Sequence, residues 1–197
     1  MKTLVILFFV LISLNLFSQK QENPAPSKEV QIITAVLPAP DEQKAGAMVY
    51  GYDSKGDLVL LREGTNNLVC IGDNPARDGI SVSCYSKRLE PFMARGRALN
   101  AQGKSQAERN EIRGREIESG QLSMPREPSM LYVYFGSQED YNAETGELAN
   151  GRFRYVIYTP FATTESTGLP DKPHAPGMPW LMDPGTHRAH IMIGPFN

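Results

Sequence analysis

Chemistry-bearing residues are scarce in this 197-residue chain, which holds two cysteines, three histidines and one tryptophan. No C-x-x-C, C-x-x-C-H or H-E-x-x-H pattern occurs, so thiolate metal clusters, covalent haem attachment and zincin-type hydrolysis are excluded. The Walker A and dinucleotide-binding glycine patterns are missing too, which removes the commonest nucleotide-dependent enzymes. A formal net charge of −2 gives no reason to expect nucleic acid as a partner. Beyond residue 18, no apolar run approaches the roughly 20 residues that a membrane-spanning helix needs.

One apolar run does stand out. Residues 4–17 form an almost unbroken block of about 14 residues behind Lys2, interrupted by Ser13 and Asn15. That length suits the core of a secretory signal peptide, about 7 to 15 residues, and is short for a bilayer span. The small residue Ser18 closes the block, so cleavage is expected near it. Residues 1–18 are therefore read as a signal peptide and the mature chain as secreted or periplasmic. Residues 19–29, polar and holding two prolines, read as a flexible linker. Residues 30–197 are the length of a single domain.

Export gives the cysteines a role. An oxidising compartment favours pairing Cys70 with Cys84. The two face each other if residues 68–71 pair antiparallel with residues 82–85 across the turn-rich segment between them. Closing a loop of about 15 residues contributes about 3 kcal/mol in the chain-entropy treatment.

Residues 30–37 are apolar and β-branched and predict a first strand stopped by Pro38 and Pro40. Residues 47–52 and 57–62 flank Asp53-Ser54-Lys55-Gly56, a four-residue hairpin loop with its glycine late in the turn. Residues 66–71 and 80–85 extend the pattern into an antiparallel meander. Leu89, Phe92, Met93, Gly96 and Leu99 then fall on one helical face. Residues 104–119 predict a second, highly charged helix with Glu111 and Arg115 as an i, i+4 pair, too sparse in apolar positions to bury a full face. Residues 130–136, 152–159 and 190–193 predict three further strands. The expected fold is α+β: one antiparallel sheet, two helices packed on one face, and a long Pro/Gly-rich C-terminal loop.

That loop, residues 160–185, contains six prolines and three glycines. Loops above about 12–15 residues are uncommon in compact domains unless functional or disordered. Trp180 and Met182 give this one the apolar side chains of a pocket wall. All three histidines, His174, His187 and His190, lie at the same end with Asp183 beside them. Trp180, Met182 and His174 are the expected ligand-binding residues. His187, His190 and Asp183 are the candidate acid–base set, and His174, His187 and His190 are weak candidates for metal ligands.

Three other patterns are weaker. Ser166 lacks the G-x-S-x-G elbow of a hydrolase nucleophile and sits in a hydroxyl-rich turn. The segment from Asp140 to Gly146 spaces its oxygens like a calcium loop but has its glycine one residue late, so an EF-hand is excluded. Residues 87–116 carry eight basic and four acidic residues, the mixture of a solvated, salt-bridged face. Two functions follow as expectations. One is a non-catalytic exported domain binding a small ligand or an envelope partner through the loop around Trp180. The other is a hydrolase or lyase built on His187 or His190 with Asp183, with or without a metal.

Overall fold

A computed structural model describes residues 26–195, so the segment read as a signal peptide and most of the expected linker lie outside the described residues. The first element corrects the sequence-based expectation. Where residues 30–37 predict a strand, the chain forms helix α1, Lys28–Ala35. The Ser27 hydroxyl caps it by accepting from the Val30 amide at 3.3 Å. Thr34 donates its hydroxyl to the Val30 carbonyl at 2.9 Å, which meets the hydroxyl's demand without leaving the helix. β-branched residues cost a helix only a few tenths of a kcal/mol each, roughly, so tertiary burial of Val30, Thr34 and Ala35 outweighs the propensity.

A short helix α2, Asp41–Lys44, leads into hairpin strands β1, Met48–Tyr52, and β2, Leu58–Arg62. Strands β3, Leu68–Ile71, and β4, Ile80–Ser86, follow. Helix α3, Glu90–Ala101, and helix α4, Gln106–Glu118, come next, the latter opened by a capping box between Ser105 and Glu108. Strands β5, Ser129–Gly136, and β6, Arg152–Tyr158, precede the one-turn helix α5, Thr164–Thr167. Two short strands, β7, Trp180–Met182, and β8, His190–Ile193, close the domain. Among the described residues, no helix is long and apolar enough to cross a membrane.

All eight strands join one sheet in the order β2-β1-β3-β4-β5-β6-β8-β7. The sheet is mixed rather than antiparallel, because β3 returns past the β1–β2 hairpin to pair parallel with β1. Gly64 permits that crossing: a Cβ there would lie 2.6 Å from the Met48 amide nitrogen. The other pairings are antiparallel. Cys70 and Cys84 stand directly opposite one another and are joined by a disulfide, both fully buried.

Helices cover both faces. On the face that carries the disulfide, Ala35, Val36 and Ala39 pack over Val49, Leu68, Cys70 and Cys84. On the opposite face Leu89 and Met93 pack with Val69, Tyr85 and Leu131. Of the expected two-helix layer, α3 packs on this face while α4 packs against α3, and α1 adds a layer on the other side. A triad fastens α3 to the sheet: Tyr85 donates to Glu90 at 2.5 Å, and Arg97 donates to both the Tyr85 oxygen at 2.6 Å and Glu90 at 2.5 Å.

Candidate functional site

Helix α4 is less apolar than α1 and α3, yet it holds the buried core of the site. Arg113 is only 7% exposed. Its guanidinium lies over the Phe92 ring at 3.9 Å and donates to the Phe92 carbonyl at 3.3 Å and to Asn110 at 3.1 Å. Gly96 makes the room, since a Cβ there would meet Arg113 Nη1 at 2.8 Å. The Arg95 guanidinium then clamps the two helices by a forked contact to both Glu116 oxygens, with Nε at 3.0 and 2.9 Å.

Phe92 passes the contact on. Its ring meets His187 at 5.9 Å and Tyr158 at 6.1 Å, both edge-on, and Tyr158 stacks on His190 at 5.3 Å. The two imidazoles are therefore linked through Phe92 and Tyr158 by successive ring contacts. His190 is tied by Nδ1 to the Arg188 carbonyl at 2.6 Å. His187 packs on Gly114 of α4, where a Cβ would come within 3.1 Å of its Cε1, and its buried Nε2 has no hydrogen-bond partner. Burial lowers the pKa of both histidines below the ordinary imidazole value, and for His187 the nearby Arg188 and Arg113 cations lower it further. Both rings are neutral at pH 7.

Asp183 orients neither ring. Its carboxylate pairs with Arg188, and its carbonyl accepts from the Thr186 hydroxyl at 2.8 Å, making it a turn residue. Trp180 and Met182 lie on edge strand β7, in register with Met192 and His190 respectively, while Leu181 between them is fully buried. His174 is exposed in the turn before them. Among the described residues, no group of three or more His, Cys, Asp or Glu side chains is placed to hold a metal ion. Ser166 accepts from the Thr163 amide at 2.9 Å and donates to the Thr163 carbonyl at 3.1 Å, the role of a capping hydroxyl.

His187 does line an open cleft, of about 520 Å³, between α4 and the turn 183–188. Asn110, Glu111, Arg115 and Glu118 form the helical wall; Phe161, Thr186 and Arg188 face them. Most of the charge is internally compensated, Glu111 by Arg115 and Arg188 by Asp183. Neither Trp180 nor Met182 nor His174 is in the lining.

Phe161 is the residue that sequence reading missed. Ala162 donates its amide to the Thr159 carbonyl at 3.0 Å, closing a turn with Pro160 second and Phe161 third. The Phe161 φ is +66°, so the turn follows the type II pattern, which normally takes glycine at that place. Bonds from the Phe161 amide to Thr186 at 2.8 Å and from Gly185 to Ala162 at 2.7 Å lock the turn against the cleft's other lip. A bulky aromatic at positive φ is strained, and this one is held so while the residue stays 55% exposed. A proline followed by an aromatic in the turn after β6 was the available sign. The chain was compared with protein-family models, curated proteins and solved structures, and none of them matches it.

Proposed function

We propose that the protein is an exported, non-catalytic binding domain whose ligand seats in the cleft between α4 and the turn 183–188, against the Phe161 ring. The C-terminal loop thus carries the site through Phe161 rather than through Trp180. One observation supports this above the rest: Phe161 holds a left-handed conformation at φ +66° on the cleft rim while the residue stays 55% exposed. A core residue held under strain buries its ring; a recognition residue displays it. The cleft's volume is in the range of small-molecule sites. Its paired charges and single aromatic plate suit a ligand with one apolar face and a hydrogen-bonding edge. The Cys70–Cys84 disulfide agrees with an oxidising compartment.

The hydrolase or lyase alternative is supported only by two neutral imidazoles, with Asp183 committed to Arg188. The test is a thermal-shift screen of small molecules and envelope extracts on the oxidised chain. A ligand at about 100 times its dissociation constant stabilises the fold by about 2.7 kcal/mol, an easily read shift. The expected hits raise the melting temperature of the parent and not of Phe161→Gly. Hits that stabilise both equally place the ligand elsewhere and overturn the proposal. Turnover lost in His187→Ala would establish the catalytic alternative instead.

A further inference from the structure

On the sheet face opposite the disulfide, the register sets Tyr50, Ile71, Ser83, Val133 and Arg154 in one row across five strands. With about 4.8 Å between neighbouring strands, the row runs about 19 Å. A second row beside it holds Ser81, Phe135 and Arg152. The floor is half-open: Ile71, Ser83, Val133 and Phe135 are partly accessible, and Ser81 and Arg152 are exposed. At one end Arg152 and Arg154 lean over the same Phe135 ring, at 5.2 and 5.0 Å. Neither makes an ion pair with a carboxylate among the described residues, and Arg154 Nε is buried without an acceptor. At the other end Arg97 stacks on Tyr50 at 4.9 Å, its charge answered by Glu90. Asp73, the acid beside Ser81, accepts from the Ser81 amide at 2.8 Å.

Two uncompensated guanidiniums fixed on an aromatic ring, with serine hydroxyls two strands away across Phe135 and Val133, form a receptor for oxyanions. We propose that this face binds an acidic polysaccharide, with Arg152 and Arg154 on its carboxylates or sulfates and Ser81 and Ser83 on its hydroxyls. Charge complementarity selects an anion. The choice of a glycan over an acidic peptide follows from hydrogen bonding. β1, β3, β4, β5 and β6 are each paired on both sides, so no strand edge is free to satisfy a peptide backbone laid over them. A sugar chain brings hydroxyls that serine side chains can satisfy, and no backbone amides. This site lies apart from the α4 cleft and does not depend on its occupant.

The test titrates the oxidised chain with polygalacturonate and with heparin, against neutral dextran and polyglutamate, by calorimetry at two salt concentrations. Expected is binding to one or both acidic glycans that weakens as salt rises, with none to dextran. Arg152→Gln with Arg154→Gln should weaken it by about tenfold or more, as loss of charge-assisted bonds does. Ser83→Tyr, which leaves every charge in place but fills the row, should weaken it likewise; near-UV circular dichroism confirms that each variant is folded. Binding unchanged in either folded variant, equal binding of polyglutamate or dextran, or binding to no glycan overturns the proposal.

Discussion

Phe161 offers a test in which the usual order of two substitutions is reversed. At ordinary backbone angles alanine is more stable than glycine by about 0.5–1 kcal/mol, because glycine loses more conformational freedom on folding. At φ +66° the balance changes. A left-handed residue with a Cβ costs roughly 1–2 kcal/mol, and glycine removes that cost. Both variants lose the ring's contacts alike. With the residue 55% exposed, about half of the 1.5–3 kcal/mol typical of a fully buried Phe is at stake, or about 1 kcal/mol. Phe161→Ala keeps the strain and loses the contacts, so it should cost about 1 kcal/mol. Phe161→Gly offsets the lost contacts by relieving the strain and should lie within about 1 kcal/mol of the parent, above the alanine variant. Urea unfolding followed by Trp180 emission measures both midpoints. Alanine more stable than glycine would refute the strain argument. Both variants losing 3 kcal/mol or so would show the ring to be a core residue, and the case for display would collapse with it.

Three further outcomes follow from the geometry. Replacing Cys70 and Cys84 together by alanine should lower unfolding stability by about 3 kcal/mol, the value for a loop of roughly this length, in urea unfolding under non-reducing conditions; a loss below about 1 kcal/mol would mean that the unfolded chain is already restricted there. Burial depresses the pKa of His187 and His190 in the folded state, so the unfolded chain takes up protons first as pH falls. The stability these groups contribute is complete above the unfolded value near 6.5 and declines as pH drops through the lower folded values; a urea midpoint that does not fall between pH 7.5 and 5.5, or falls equally in a His187→Gln, His190→Gln variant, contradicts the assignment. Gly114→Ala should forgo the gain of up to about 1 kcal/mol that alanine normally brings to a helix, because its Cβ would press on His187 Cε1 at 3.1 Å; a higher melting temperature with unmoved His187 resonances would show that contact to be slack.

Local chemistry was legible wherever neighbours in sequence are neighbours in space. The β1–β2 hairpin, the α3 and α4 helices, and the Cys70–Cys84 register all follow from turns and periodicities a few residues long. What stayed hidden depends on distant segments. The strand expected at residues 30–37 became α1 because β-branched content favours a pleated surface only when one is offered, and the sheet offered that stretch a face to lie on instead. The parallel β1–β3 pairing has no local signature at all. Strand β7 is three residues long inside a proline-rich loop, and it exists because β8 presents an edge to it. Arg113 reads as one more solvated charge on a polar helix. Only the glycines at 96 and 114, out of place inside helices, hinted that something was packed closely there.

Several departures from local rules adjoin one another at the α4 cleft. Gly96 admits Arg113, Arg113 lies on Phe92, Phe92 braces His187, and His187 requires Gly114. The turn hydrogen-bonded to His187's lip is the one that holds Phe161 at positive φ, with the bond from its amide to Thr186. Each of these positions carries a residue that a search for stability alone would replace: a glycine in a helix, a buried guanidinium, an imidazole nitrogen without a partner, an aromatic where glycine belongs. Others lie elsewhere, such as Asn150 at positive φ and the unpartnered Arg154 Nε, but these share one chain of contact ending at one cleft. Strain of this kind persists where the surrounding structure enforces it and where removing it forfeits something. A stabilised variant combining Phe161→Gly with a better-packed α3–α4 junction should therefore fold well and bind nothing in the cleft.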